Sequence, residues 1–504
     1  MQILDVARGA YIRSPAIVRR SLAPLVSLLP TRMKFGKTYH AGRARIAKAA
    51  ADPARSNEEH LAALRALMAK AHAASPFYRE MIDRAFGPGF DLSQFMPEDI
   101  RRLPVIGKAE LLAAGDDALC VPKYQLDTVT TSGSNSEAPF GFYLDKDRSA
   151  REMAFVYDAW SRIGFSEDQA RVCLRGFGLE DKGQQTHGRN PGDRNHRWDP
   201  ALKELRLAVF PMTEEDASSY IDLIDAYGVE YIYGYGSAIE LLCRHMRRLG
   251  RRPQRPICGI MPISEPLFDH QRTLIRSVLG DVRFSCFYGL SEKVLFAATA
   301  LGEDDVYEFD PLYGLAELVD AEGNVVTRPG EEGRLVGTGF LSTGMPFIRY
   351  DTGDCAELVA PASRENGQRL RVRALTPRRK PGYLIAADGS RIVIVDLTPS
   401  DEALYQGIAE YQFFQEKPGT VVIRYILDNG GTPDDIERFA NSLRQRVRGR
   451  VTFTTEAVMR IASGRDGKRS FIDQRLDWAR VEPAPQAPAR SAAPGRQQPV
   501  LSEE

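Results

Sequence analysis

Apolar positions along the chain change their period three times. From Glu58 to Phe86 the run EEHLAALRALMAKAHAASPFYREMIDRAF interleaves Ala, Leu and charge, and Leu61, Leu64, Leu67 and Met68 fall on one stripe. That 3.6-residue spacing predicts a helical beginning, over about residues 1–115. From about 120 to 350, short β-rich runs (ARVCLRGFG, VEYIYGYG, PICGIMPIS, VRFSCFYG) alternate with amphipathic ones such as ASSYIDLIDAYG and SAIELLCRHMRRLG, the texture of βα units on a largely parallel sheet. Between them the stretch from Leu179 to Pro200 is polar and Gly-containing and predicts a long surface loop. Near 310 the pattern shortens to strands separated by EGN, PGEEG and TGD turns, predicting a small antiparallel or barrel-like subdomain. After TPRRKPG (Thr376 to Gly382) an α+β pattern of about 100 residues follows, and from Glu482 the chain turns to Pro, Ala, Gln and Arg.

The expected architecture is therefore α/β. A large N-terminal domain over 1–378 would combine βα layers with a small β-barrel-like subdomain. A small, mobile α+β C-terminal domain would cover 379–481, and 482–504 would be a disordered tail.

Charge narrows the partners. Lys plus Arg (67) balances Asp plus Glu (67), so no overall field gathers nucleic acid or an anionic membrane. No apolar run reaches the roughly 18 residues of a membrane span. The stretch from Leu22 to Pro30 is too short, carries two prolines and lacks a cleavage site, so it reads as a helix packed on the main body rather than a signal peptide. Six scattered cysteines without a C-x-x-C pair read as reduced thiols in a cytoplasm.

Four stretches carry candidate chemistry. TTSGSNSEAPFGF, from Thr130 to Phe142, groups small hydroxyls and backbone N–H groups around Gly133, as a phosphate cradle requires, yet no G-K-[ST] follows as in a Walker loop. FYGLSEKV, from Phe287 to Val294, brings aromatics, Gly289 and Glu292 to a predicted strand end. MPFIRYDTGDCAEL, from Met345 to Leu358, places Arg349, Thr352 and Asp354 around a tight turn. SGRDGKRSFID, from Ser463 to Asp473, sets a lone Lys468 on a hydrophilic loop. Singly, each stretch also reads as an ordinary turn, strand end, hairpin or solvated charge run.

Their order and spacing resemble a known family. TSGS, YGLSE, IRYDTGD, RRKPGYLIAADG and a late Gly-Lys follow the signature segments of the adenylate-forming enzymes, which include acyl-CoA synthetases, firefly luciferase and nonribosomal adenylation domains. The likeness runs from about residue 40 to 475. It is nearest to the phenylacetate-CoA ligase branch and, within it, to capsular-polysaccharide-biosynthesis-type proteins, whose helical beginning resembles Ser75 to Leu112 here. The resemblance implies an ATP- and Mg²⁺-dependent ligase that joins a carboxylic acid to AMP with release of pyrophosphate and then passes the acyl group to an acceptor.

It also implies roles by position. Thr131, Ser132, Gly133, Ser134, Asn135 and Ser136 would line the β- and γ-phosphates. Ser264 and Glu265 would sit at the adenine edge, Tyr288 and Gly289 beside its face, and Asp354 would accept the ribose hydroxyls. Glu292 would help hold Mg²⁺. Lys468 would bridge the acid's carboxylate and the α-phosphate, carried by a domain that rotates about Lys380 or Pro381 next to Arg379. Tyr233, Tyr235, Gly236 and Phe287, with Phe284 nearby, would wall an acyl pocket for an apolar or aromatic acid, and Gly234 and Gly236 would leave room beside the backbone. The phosphate loop departs from the family's T-S-G-T-T-G-K-P in having Asn135, Ser136, Glu137 and Ala138 before Pro139, and Lys123 or Lys146 could compensate for the missing lysine. Three readings stay open: transfer to coenzyme A, transfer to an amine or a carrier-protein thiol, and a binding protein that has lost catalysis.

Overall fold

The structure is a computed structural model. It describes residues 35–130, 141–175, 195–199, 202–209, 212–264, 269–377, 383–393, 407–427, 430–459 and 472–476, with a few isolated positions besides. Of the 22–30 stretch only Leu22, Leu25 and Leu28 are among them, and all three are exposed rather than packed on the main body. No helix of the described residues is long and apolar enough to cross a membrane.

The helical beginning consists of α1 (Gly36–Ala51), α2 (Pro53–Ala74) and α3 (Pro76–Phe86). A proline in the first turn of α2 and α3 marks each break, because it cannot continue the preceding helix but suits a helix start. Asp52 and Ser75 cap the freed N–H groups. Leu64, Leu67 and Met68 of the expected stripe are buried in a core shared with the antiparallel sheet, whereas Leu61 is half-buried. The short α4 (Lys108–Ala114) and the hairpin β1 (Leu126–Thr130) and β2 (Gly141–Asp145) follow, then α5 (Arg148–Ser161).

The next strands are β3 (Arg171–Leu174), β4 (His196–Asp199), β5 (Glu204–Leu207), β6 (Tyr231–Tyr235), β7 (Gly259–Ile263) and β8 (Arg283–Phe284), interleaved with α6 (Glu214–Ala226), α7 (Gly236–Leu249) and α8 (Asp269–Leu279). They form one sheet in the order β4-β5-β3-β6-β7-β8, parallel except for β4. The edge strand β4 corrects the expectation of a loop through Pro200. Trp198 stacks on Tyr227 with ring centroids 4.6 Å apart, which gives this polar segment an apolar anchor. α6, α7 and α8 cover one face of the sheet, and α1 and α5 the other.

Of the two forms expected for this region, antiparallel or barrel-like, the structure has the first, a single antiparallel sheet of seven strands. Its members are β9 (Phe287–Gly289), β10 (Phe296–Ala300), β11 (Glu303–Phe309), β12 (Gly314–Val319), β13 (Glu332–Gly339), β14 (Tyr350–Ala360) and β15 (Arg371–Pro377), in the order β12-β13-β14-β15-β11-β10-β9. The run VRFSCFYG, one stretch in sequence, is divided between the two sheets. The Ser285 N–H donates to Ile260 of β7 (2.9 Å), while the carbonyl of Cys286 accepts from Thr299 of β10 (2.9 Å). The chain thus exchanges sheets across one peptide bond.

The last part comprises β16 (Tyr383–Ile385), β17 (Arg391–Val393), β18 (Ile408–Lys417), β19 (Thr420–Leu427), α9 (Pro433–Val447), β20 (Thr452–Ala457) and β21 (Ile472–Gln474). Its core is drawn wholly from residues 384–472, with Phe413, Phe439, Leu443 and Phe453 buried. The stretch 482–504 lies outside the described residues.

Candidate functional site

Two carboxylates are brought near one another beside the sheet exchange. Asp354 lies on β14, which is irregular in its pairing with both neighbours, and Gly353 before it takes a φ of +79° that suits glycine. Tyr288 of β9 reaches across and donates its hydroxyl to Asp354 Oδ2 at 2.7 Å. Burial pushes the Asp354 carboxyl up to about 6; the Tyr288 hydroxyl opposes the rise, and the Glu292 and Asp351 carboxylates add to it. The Tyr288 phenol is raised well above its ordinary value, first by burial and then by Asp354.

Glu292 follows β9 in a turn closed by the Lys293 N–H on the Leu290 carbonyl (3.1 Å). Lys293 is left-handed (φ +57°) and is anchored by an ion pair to Glu152 at 2.8 Å. The Glu292 side chain is buried and accepts from the Tyr350 hydroxyl at 3.1 Å. Among the described residues no group of three or more His, Cys, Asp or Glu converges, so no caged metal site is built. A single carboxylate fits Mg²⁺ held mainly by phosphate oxygens and water.

The other side is formed by the parallel strands. The chain leaves β3 toward β5 and returns on the opposite side of β3 as β6, so the strand order reverses between β3 and β6. Open α/β sheets bind ligands in the crevice beyond the carboxyl ends of the strands at such a point. Tyr233 of β6 is half-buried there, its ring edge-on to Trp160 at 4.9 Å and its hydroxyl accepting from Arg175 at 2.7 Å. Phe287 stacks on Phe296 and packs, like Tyr233, against the cores on both faces of the parallel sheet. Tyr235 is buried in the core over α6 to α8, and Gly236 begins α7. Ser264 ends β7 exposed and left-handed, at φ +60°. Gly289 ends β9 and is exposed.

Several expectations change. Gly234 leaves no room for a ligand: a Cβ there would stand 2.3 Å from the Leu174 carbonyl, so glycine is required by the approach of β3. Phe284 is buried with the guanidinium groups of Arg272 and Arg276 over its ring, away from an acyl wall. Arg349 does not line the site; it is buried against Glu317 (3.3 Å) and donates to the Leu103 carbonyl (2.6 Å). Lys123 pairs with Asp116 at 2.6 Å and Lys146 donates to the Tyr124 carbonyl, so both candidate substitutes for the loop lysine are engaged. Thr131, Ser132, Gly133, Ser134, Asn135, Ser136, Glu265, Arg379 and Lys468 lie outside the described residues. Tyr350 sits inside a quoted motif, but a tyrosine before an Asp carries no signal in sequence beyond an ordinary core residue. Arg175 follows a strand end, the one cue that pointed to it.

No protein-family model matches the chain. It is 22% identical over 403 residues to Protein CapK of Staphylococcus aureus, covering 79% of this chain and 84% of that protein. It is 24% identical over 370 residues to phenylacetate-coenzyme A ligase of Thermus thermophilus, covering 71% and 78%. In fold it is similar to 2-hydroxyisobutyryl-CoA ligase solved with 2-HIB-AMP and CoA, at a TM-score of 0.52 and 17% identity over 84% of this chain and 90% of that one.

Proposed function

We propose that this chain, an adenylate-forming ligase of the phenylacetate-CoA ligase-like branch, activates a carboxylic acid as its acyl adenylate and transfers the acyl group to coenzyme A. The observation that carries the reading is the pair of tyrosine-carboxylate contacts near the seam of the two sheets, Tyr288 on Asp354, part-buried, and Tyr350 on Glu292, buried. Coenzyme A as acceptor is supported by the names of the ligases the chain resembles.

In this reading Asp354 accepts both ribose hydroxyls, and Tyr288 holds the carboxylate in place while its ring lies by the adenine. Ser264, Glu265 and Gly289 border the base, and residues 131–136 cradle the phosphates. Glu292, fixed by Tyr350, would be the residue to hold Mg²⁺, whose charge would balance the phosphate oxygens. The acid's carboxylate, already ionised at pH 7, attacks the α-phosphorus, and the bond to the pyrophosphate oxygen breaks. Lys468 bridges the carboxylate and the α-phosphate as charge builds. In the second step the thiol sulfur attacks the acyl carbonyl carbon, AMP leaves, and the thiol proton passes to solvent. Asp354 is in register with Pro377, the last residue of β15, so that strand ends beside the proposed ribose position, which suits a rotation that brings Lys468 in and out. Tyr233, Tyr235, Gly236 and Phe287 would take the apolar or aromatic body of the acid. Six scattered cysteines without a C-x-x-C pair support a cytoplasmic setting.

The test is exchange of labelled pyrophosphate into ATP, which must depend on added acid and fall about 10²- to 10³-fold in Lys468→Ala. Exchange indifferent to acid overturns the ligase reading. Acyl adenylate formation with no thioester at saturating coenzyme A shifts the acceptor to an amine or a carrier thiol.

A further inference from the structure

Two arginines flank the Tyr233 ring, and they differ in how their charge is answered. Arg171, at the start of β3, is buried, with its guanidinium 5.6 Å from the Tyr233 ring centroid and within 6 Å of Tyr157, Trp160 and Phe165. Its charge is met by Glu204 at 2.9 Å. Arg175, just beyond the carboxyl end of β3, lies 5.5 Å from the same ring, and no carboxylate among the described residues pairs with it. Its recorded partner is the Tyr233 hydroxyl. Arg171 therefore belongs to the core, while Arg175 stands at the mouth of the crevice where the strand order reverses.

We propose that Arg175 and Tyr233 form a subsite for a second anionic group, a carboxylate or a phosphate, on the far end of the acid that is activated. The inference rests on the ligase reading and deepens it by adding a charged terminus to an otherwise apolar acyl chain. Three points support it. Tyr233 and Phe287 are half-buried aromatic rings at this end of the sheet, with Trp160 buried behind Tyr233, and in such a setting a few polar groups fix a ligand's orientation. An Arg fork matches a carboxylate or phosphate in two hydrogen bonds, and using one nitrogen on Tyr233 leaves others free to donate. The Tyr233 hydroxyl accepts from Arg175, so its own proton is available to the same anion; burial pushes that phenol up to about 12, which keeps the proton on at neutral pH. Among the described residues, the carboxylate that acts on Arg175 is Glu204, which is already committed to Arg171 and Arg206.

The experiment compares paired acids that differ only in a terminal charge: phenylacetate with 4-carboxyphenylacetate, and hexanoate with adipate. Each is assayed by pyrophosphate exchange in the full chain, in Arg175→Met and in Arg175→Lys. The wild-type chain should favour the charged member of a pair at least tenfold in kcat/KM. Arg175→Met should lower that ratio by about tenfold or more through the acid's KM, and Arg175→Lys should restore part of it. Melting temperature, followed in parallel, separates a folding defect from a lost contact. A preference for the uncharged acids, or a ratio that Arg175→Met leaves where it was, overturns the subsite while the ligase reading stands. Exchange without any acid overturns both.

Discussion

The parallel and antiparallel sheets contribute to the site in different ways. The parallel sheet offers residues toward its strand ends: Arg175 follows β3 and Ser264 follows β7, while Tyr233 lies within β6, which passes directly into α7. The antiparallel sheet offers residues held within or just after strands: Tyr288 in β9, Asp354 in β14 and Glu292 in the turn after β9. Each sheet also carries a buried ion pair that takes no part in the proposed chemistry, Arg171 with Glu204 and Arg349 with Glu317. On the proposed reading, the contrast teaches that a position past a strand end such as Arg175 suits recognition of a variable acid, because the loop beyond it can change freely. Strand interiors suit a constant nucleotide, because their register fixes side chains on both neighbours.

Four substitutions break or sharpen that contrast, taken from the largest expected effect down. Arg349→Met strands Glu317 and the Arg101 and Leu103 carbonyls without a donor, and should cost about 3–5 kcal/mol of stability in urea unfolding. Survival with little loss would show that the antiparallel sheet does not need its buried pair. Gly234→Ala drives a methyl into the Leu174 carbonyl and must part β3 from β6, costing about 1–3 kcal/mol. The acid's KM should rise while that for ATP holds, if the crevice serves the acid alone.

Asp354→Asn acts in the opposite sense. A carboxyl whose folded value is raised to about 6 contributes stability that is complete below its unfolded value near 4 and is lost as pH rises through 6. Removing the charge should therefore stabilise the chain by about 1–2 kcal/mol at pH 8, an advantage that disappears by pH 4. Nucleotide binding runs the other way: the KM for ATP in the unaltered chain should climb as pH falls through 6, and in Asp354→Asn it should be high and flat. Ser264→Gly relieves a left-handed residue at the parallel edge and should raise stability by only about 0.5 kcal/mol, measured as melting temperature.

Much of this arrangement was legible in sequence because it is local. The switch from helical to strand spacing marked α1 to α3 and the βα units, and the order of the motifs pointed to Tyr288, Glu292 and Asp354. What escaped depends on partners distant along the chain. Periodicity reads VRFSCFYG as one strand, since nothing in it reports that Ser285 pairs with β7 and Cys286 with β10. Arg349 looked like a site residue because it adjoins Asp354 in sequence, yet Glu317 and the Leu103 carbonyl turn it inward. Gly234 and Gly236 read alike, and only the approach of Leu174 distinguishes the first. Arg175 and Arg171 are four positions apart on one strand and its exit, and what separates their roles is the carboxylate that β5 brings to Arg171 alone.

The exchange between Ser285 and Cys286 also acts as a ruler. Neighbouring Cα atoms across a trans peptide keep a fixed spacing of about 3.8 Å, so the two sheets are tied together at this point and, on the proposed reading, would not separate there to admit a bulkier acid. On that reading a change of acid size would be absorbed by trimming side chains such as Tyr233 or Phe287, with the nucleotide's proposed seat left where it is.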